Sequence, residues 1–65
     1  MQNSLAERRK ARGLSQQALA DELGVSRQSI ISLEKGRYDP SLPLAFKLAA
    51  VFGCAIEELF TPDPE

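Results

Sequence analysis

The stretch from residue 27 to residue 37 carries the side chains with the most specific recognition chemistry. Arg27 and Gln28 are adjacent, and each can form two parallel hydrogen bonds to a flat partner. A glutamine amide matches adenine in this way, and an arginine guanidinium matches guanine or a nearby phosphate. The residues therefore favour contact with nucleic-acid bases, and the alternative is an ordinary solvent-exposed helix face.

Patterns for catalysis or metal binding are missing from the sequence. The chain has no histidine, and Cys54 is its only cysteine. No glycine-rich phosphate loop or metal-ligand cluster is present, so we expect neither an enzyme nor a bound cofactor. A lone cysteine fits a reducing cytoplasm, and we interpret Cys54 as a small apolar residue rather than a redox switch.

Charge is distributed unevenly along the chain. The net charge is −1, which by itself argues against a polyanionic partner. However, residues 1–37 carry seven basic and four acidic side chains (net +3), whereas residues 38–65 carry one basic and five acidic ones (net −4). Local patches, rather than totals, steer a polyanion, so the first half remains a candidate nucleic-acid surface.

Five short helices are needed to position these residues. Helix formers and glycines dominate, and no run alternates with period two, which predicts an all-α fold. Sixty-five residues suffice for a single domain, with a core over 5–60 and a short tail over 61–65. Capping serines and terminating glycines predict helices at 3–12, 16–23, 27–35, 42–52 and 55–60.

The joint between the second and third helices is the most informative element. Leu23-Gly24-Val25-Ser26 forms a tight turn with a glycine near its start and a capping serine at its end. Such a turn sets two short helices at a steep angle, as a helix-turn-helix motif requires. The residues expected to fill the space between these helices are Ala20, Gly24, Val25, Ile30 and Leu33.

Two charged residues occupy positions where helix periodicity predicts apolar side chains. Arg9 continues the apolar stripe of the first helix, and Glu34 continues that of the third. An unpaired buried charge is too costly to persist, so we expect Arg9 and Glu34 to pair and join the two helices. The alternative is that both side chains reach solvent.

Taken in order, these residues resemble the Xre/Cro/C1-type repressor domain over about residues 5–60. The resemblance is carried by Leu14-Ser15-Gln16, Leu19-Ala20, Leu23-Gly24-Val25-Ser26, Ile30, Leu33-Glu34-Lys35-Gly36, Pro40-Ser41-Leu42, Leu48-Ala49, Phe52-Gly53 and Ile56-Glu57-Glu58-Leu59-Phe60. It implies a compact five-helix fold like that of the lambda repressor, in which helices two and three form the motif. It also implies operator binding, usually as a dimer, and it agrees with the Arg9–Glu34 pair.

The start of the second motif helix reads base edges in helix-turn-helix proteins. Ile31 could touch only thymine methyl groups or exclude other groups. The start of the first motif helix can grip a phosphate through a side chain and free backbone N–H groups. We therefore assign base contacts to Arg27, Gln28, Ile31 and Ser32, and phosphate contacts to Gln16, Ser29, Lys35, Arg37 and Tyr38.

A single small domain reads too few base pairs to be selective, so we expect a homodimer on a two-fold DNA site. The candidate interface lies near the C-terminus and comprises Phe52, Ile56, Leu59 and Phe60. Closure of the monomer core is the alternative role for all four. We favour that alternative for Ile56 and Leu59, and we favour an interface role for Phe60.

The sequence thus predicts a sequence-specific regulator of transcription that binds double-stranded DNA and acts as a repressor. The competing hypothesis is an antitoxin or adaptor whose main partner is another protein. Residues 1–13 lack the apolar core of a signal peptide, and no apolar stretch reaches a membrane-spanning length. We therefore expect a soluble, cytoplasmic protein with no membrane partner.

Overall fold

The structure is a computed structural model that describes residues 2–37 and 39–61. Within them, the five expected helices are present, so the predicted all-α class is confirmed. The structure also contains a pair of two-residue strands. In chain order the elements are β1 (Gln2–Asn3), α1 (Leu5–Ala11), α2 (Gln16–Leu23), α3 (Arg27–Glu34), α4 (Leu42–Phe52), α5 (Ile56–Leu59) and β2 (Phe60–Thr61).

The strand pair explains why the first and last helices are shorter than predicted. β1 and β2 are antiparallel, with Gln2 opposite Thr61 and Asn3 opposite Phe60. The Ser4 N–H also donates to the Leu59 carbonyl at 2.9 Å. The backbone at Phe60 is extended, with φ −121° and ψ 134°. The backbone groups near the two chain ends therefore hydrogen-bond to each other instead of extending α1 and α5.

Serine caps fix the starts of the three central helices. The hydroxyl oxygens of Ser15, Ser26 and Ser41 accept hydrogen bonds from backbone N–H groups three residues later, at 3.0, 3.1 and 3.3 Å. At the other ends of α2 and α4, Gly24 and Gly53 adopt left-handed conformations with φ 73° and 63°. Only glycine adopts this region without steric cost, so both helices stop where the sequence places a glycine.

Every helix contributes to one hydrophobic core. Within the turn between α2 and α3, Val25 packs partly against the core while Gly24 is exposed, so Gly24 serves the turn and does not fill the interior. No helix among residues 2–37 and 39–61 has the length and apolarity needed to cross a membrane. The buried apolar residues are Leu5, Leu19, Ala20, Leu23, Ile30, Leu33, Ala45, Leu48, Leu59 and Phe60.

Phe60, which the sequence assigns to the dimer interface, is mostly enclosed by the core. Phe60 is only 7% exposed, because it lies in β2 and packs with the core instead of continuing the exposed face of a helix. Leu59 is also buried, and Ile56 and Phe52 pack partly against the core. The remaining surface of Phe60 lies in the lining of a groove beside α4.

Candidate nucleic-acid interface

The candidate interface is built on α2, α3 and the turn between them. These two helices pack against each other more extensively than any other pair of elements in the described chain. Leu19, Ala20 and Leu23 of α2 are buried in the same core as Ile30 and Leu33 of α3. The connecting turn is held by a hydrogen bond from the Val25 N–H to the Ala20 carbonyl at 3.0 Å. As a result, α3 has a fixed position relative to α2.

One face of α3 is open to solvent where the sequence predicted base contacts. Arg27 and Gln28 are exposed, and Ile31 and Ser32 are half-buried. With about 100° of rotation per residue, these four positions share one side of the helix. The opposite side carries Ile30, which is 1% exposed and faces the core. The exposed start of α3 thus presents a guanidinium and an amide together.

The residues expected to contact phosphate lie at the start of α2 and around α3. Lys35 and Arg37 are exposed, and Gln16 and Ser29 are half-buried. The hydroxyls of Ser26 and Ser29 share a hydrogen bond at 2.9 Å. The Arg37 N–H donates to the Ser32 carbonyl at 3.0 Å, which ties the segment after α3 to the helix. Tyr38, also expected to contact phosphate, lies outside the described residues.

Arg9 and Glu34 pair in the interior behind this surface. The Arg9 Nε donates to Glu34 Oε2 at 2.6 Å, and Arg9 Nη2 donates to Oε1 at 3.2 Å. The two side chains are 10% and 8% exposed, so neither reaches solvent as the alternative required. Arg9 Nη1 also donates to the Leu14 carbonyl at 2.9 Å. The fork of one guanidinium therefore connects α1, the α1–α2 loop and α3.

Three further contacts were not predicted from the sequence, one to this ion pair and two made by Arg8. Gln16 Nε2 donates to Glu34 Oε1 at 3.1 Å, so a predicted phosphate ligand is bonded to the ion pair. Arg8 lies 4.0 Å from Glu58 and donates through Nε to the Ser4 hydroxyl at 3.1 Å. Helical periodicity predicts the face on which each side chain lies, but it does not predict its partner on another helix.

Arg8 of α1 and Arg12, which follows α1, have a different role from the exposed cations in and after α3. Arg12 donates to the Val51 carbonyl near the end of α4, and Arg8 contacts α5 as described above. A cation near the last carbonyls of a helix is favourable because the helix dipole is negative there. The positive charge at the candidate interface therefore comes from Arg27, Lys35 and Arg37, which are exposed.

Comparison with known proteins gives the family. A family model described as helix-turn-helix matches residues 5–59, which include α1 to α5 and the packed α2–α3 pair. The chain belongs to the helix-turn-helix family. This family binds DNA, and the Xre/Cro-type resemblance in the sequence is confirmed.

Relatives of similar length carry the same family name. The HTH-type transcriptional regulator MJ0272 of Methanocaldococcus jannaschii is 57% identical over 60 residues, covering 92% of this chain and 91% of that protein. The HTH-type transcriptional regulator YgzD of Bacillus subtilis is 40% identical over 65 residues, covering all of this chain and 98% of that protein. These helix-turn-helix proteins align with this chain across nearly their whole length.

Two solved structures share the helix-turn-helix fold. The restriction-modification controller protein C.AhdI from Aeromonas hydrophila superposes with a TM-score of 0.76 at 39% identity, covering 86% of this chain and 85% of that protein. The hypothetical transcription factor NHTF from Neisseria superposes with a TM-score of 0.74 at 30% identity, covering 83% of this chain and 61% of that one. The five-helix arrangement is therefore that of experimentally determined helix-turn-helix proteins.

Proposed function

We propose that this helix-turn-helix domain is a sequence-specific regulator of transcription that inserts α3 into the major groove of double-stranded DNA. The observation that carries the proposal is the exposed start of α3, where Arg27 and Gln28 stand on a helix fixed by the core. The N-terminal residues of the second motif helix meet base edges in proteins of this kind. The relatives' names as transcriptional regulators support the same assignment.

Four side chains of α3 are proposed to read the bases. Gln28 can bond both N6 and N7 of adenine, and Arg27 can bond O6 and N7 of guanine or a nearby phosphate. Ser32 can donate to or accept from a base edge. Ile31 has no polar atom on its side chain, so its contact is with a thymine methyl group.

A separate set of residues is proposed to bind the phosphates on both sides of the groove. Gln16 opens α2, where the side chain and the free backbone N–H groups can bind one phosphate oxygen. Lys35 and Arg37 supply positive charge beyond the other end of α3, and Ser29 and Tyr38 supply hydroxyl groups. These contacts set the register of α3 on the DNA but carry no sequence information themselves.

We further propose that the domain binds DNA as a homodimer through the exposed face of α4. Leu42 is 64% exposed and Phe46 is 59% exposed, and the two are one helical turn apart. Beside them is an open groove of about 320 Å³ whose lining includes Leu42, Ala45, Ile56 and Phe60. In a two-fold dimer the same patch meets itself, so each copy's Phe46 can enter the groove of the other.

The proposed dimer fits the requirement for selectivity. Two copies related by a two-fold axis would place their α3 helices in successive major grooves, about 34–36 Å apart. A bound dimer would exclude polymerase from a promoter by its presence alone. Repression is therefore the proposed direction of regulation.

The deciding experiment is binding of the purified protein to its own upstream promoter DNA, over a salt series and against scrambled competitor. The proposal predicts that binding weakens with rising salt and that scrambled DNA is a poor competitor. It also predicts a footprint with two half-sites one helical turn apart. A promoter–reporter assay should then give lower expression when the protein is present. Binding that scrambled DNA competes away equally would contradict the proposal and favour a protein partner, which pull-down would identify.

A further inference from the structure

We propose that Glu34 is a positioning residue for phosphate binding, because its buried carboxylate holds the Gln16 side chain in place at the start of α2. The inference rests on the proposed DNA-binding role of Gln16. It assigns to the interior ion pair a second task besides joining α1 to α3.

Gln16 and Arg9 both donate to one oxygen of the Glu34 carboxylate, Oε1. Glu34 Oε1 accepts from Gln16 Nε2 at 3.1 Å and from Arg9 Nη2 at 3.2 Å. The second oxygen, Oε2, accepts from Arg9 Nε at 2.6 Å. Because the guanidinium grips both carboxylate oxygens, the carboxylate cannot rotate freely. Gln16 is therefore bonded to an acceptor that is itself fixed.

A fixed acceptor lowers the entropy that Gln16 loses when it binds a phosphate. A free glutamine side chain samples many rotamers, and immobilising such a chain on binding weakens affinity by about two- to tenfold. One N–H of the Gln16 amide is used by Glu34, and the amide has a second N–H to donate to a phosphate oxygen. The negative charge of Glu34 is neutralised by Arg9, so it does not repel the phosphate.

The same bond connects the start of α2 to the end of α3. Gln16 is the first residue of α2, and Glu34 is the last residue of α3. The proposed phosphate ligand and the proposed base-reading helix therefore approach the DNA as one rigid unit. A change at position 34 should alter phosphate binding although Glu34 does not contact the DNA.

The test compares two backgrounds, one with the ion pair and one without it. In the unmodified protein, Arg9 fixes the Glu34 carboxylate that accepts from Gln16. In Arg9→Met/Glu34→Leu, residue 34 has no acceptor oxygen and neither charge remains. Gln16→Ala is added to each background, and binding to a 20-base-pair mixed-sequence duplex is measured at low salt, where phosphate contacts dominate. Circular dichroism sets a temperature at which all four proteins are folded.

We expect Gln16→Ala to weaken binding by about two- to tenfold in the background with the acceptor and by a clearly smaller factor in the background without it. Equal losses in both backgrounds would overturn the positioning role while leaving the proposed function intact. Failure of the unmodified protein to bind any duplex would instead overturn the proposed function.

A second measurement needs no variant and tests the geometry directly. The side-chain amide of Gln16 should be rigid by NMR relaxation in the free protein, whereas the amide of exposed Gln28 should be mobile. Equal mobility of the two amides would overturn the proposal, because Gln16 would then not be held before DNA binds.

Discussion

At the scale of single residues, the proposed interface has one set of side chains that reads bases, which includes the neutral Gln28, and another that binds phosphates, which includes the cation Lys35. The contacts of these two residues respond differently to salt, because only cations release counterions from DNA. Gln28 and Lys35 are both exposed and belong to the two different sets. Substitution of each therefore tests the assignment of contacts.

Replacing Gln28 by alanine should relax the preference for one base pair. We expect Gln28→Ala to lose about 1–3 kcal/mol of binding free energy at that position and little at others, because one bidentate base contact is removed. Binding to a panel of operators, each with one base pair changed, measures this effect. A uniform loss across the panel would mean that Gln28 contacts the backbone instead.

Replacing Lys35 by alanine should weaken binding to all sequences alike. The slope of log K against log salt should fall by about one, since one phosphate contact is lost. Lys10→Ala is the matched control, because Lys10 is an exposed cation on α1, outside the motif. An equal change of slope in both variants would indicate general electrostatic attraction and no specific phosphate contact by Lys35.

The Arg9–Glu34 pair was predictable from the sequence, but its wider network was not. Both charges interrupt an apolar stripe, and the cost of a buried charge then requires a partner. The bonds to Gln16 and the Leu14 carbonyl depend on how far side chains reach between packed elements. No periodicity in the chain carries that information.

At the scale of elements, the helix boundaries follow from local chemistry where caps are present. α2 and α4 begin and end where serine and glycine predict, because each cap acts within its own turn. α1 and α5 are shorter than predicted, because their outer residues form β1 and β2. A two-residue strand has no pattern of its own, so its pairing with residues 57 or more positions away was not predictable.

The glycine of the α2–α3 turn allows a clean test of backbone conformation. Gly24 has φ 73°, and a Cβ atom added there would meet no atom within 4 Å. Gly24→Ala should therefore cost only the backbone penalty of the left-handed region, about 1–2 kcal/mol of unfolding free energy. Urea denaturation measures it, with Gly24→Asn as the milder control. A much larger loss for alanine would indicate a steric clash.

At the scale of the whole molecule, the interior ion pair should matter more when it is broken than when it is replaced. Glu34→Gln leaves the Arg9 charge buried without its counter-ion, and we expect a loss of about 3–5 kcal/mol. Arg9→Met/Glu34→Leu removes both charges and should recover most of that loss. Thermal and urea unfolding of both variants provide the comparison. An unchanged stability in Glu34→Gln would refute the structural role of the pair.

The exposed face of α4 provides the whole-molecule test of assembly. Phe46→Glu places a charge in the proposed two-fold contact, and we expect sedimentation to change from dimer to monomer. Ala11→Glu is the control, because it adds the same charge at an exposed position of α1. A dimeric mass for Phe46→Glu, or a monomeric mass for the unmodified protein, would contradict the proposed dimer.

The fold was predictable from the sequence, but the location of its exposed apolar face was not. α4 carries apolar side chains around most of its circumference, including Leu42, Leu44, Phe46 and Leu48. Periodicity therefore cannot identify which of them face the core. Helical spacing predicts that Phe60 shares the exposed face of Ile56, whereas the extended backbone of Phe60 in β2 places most of its side chain in the core.

The short strand pair that joins the two chain ends also bears on the order of folding. Gln2 and Thr61 are 59 positions apart, so their pairing closes a loop that spans nearly the whole chain. Such closure carries the largest entropic cost of any contact described above, and it becomes favourable only after the helices have collapsed. Folding should therefore begin with the local α2–α3 hairpin and end with the strands. Substitutions at Asn3 should accelerate unfolding and leave the folding rate nearly unchanged.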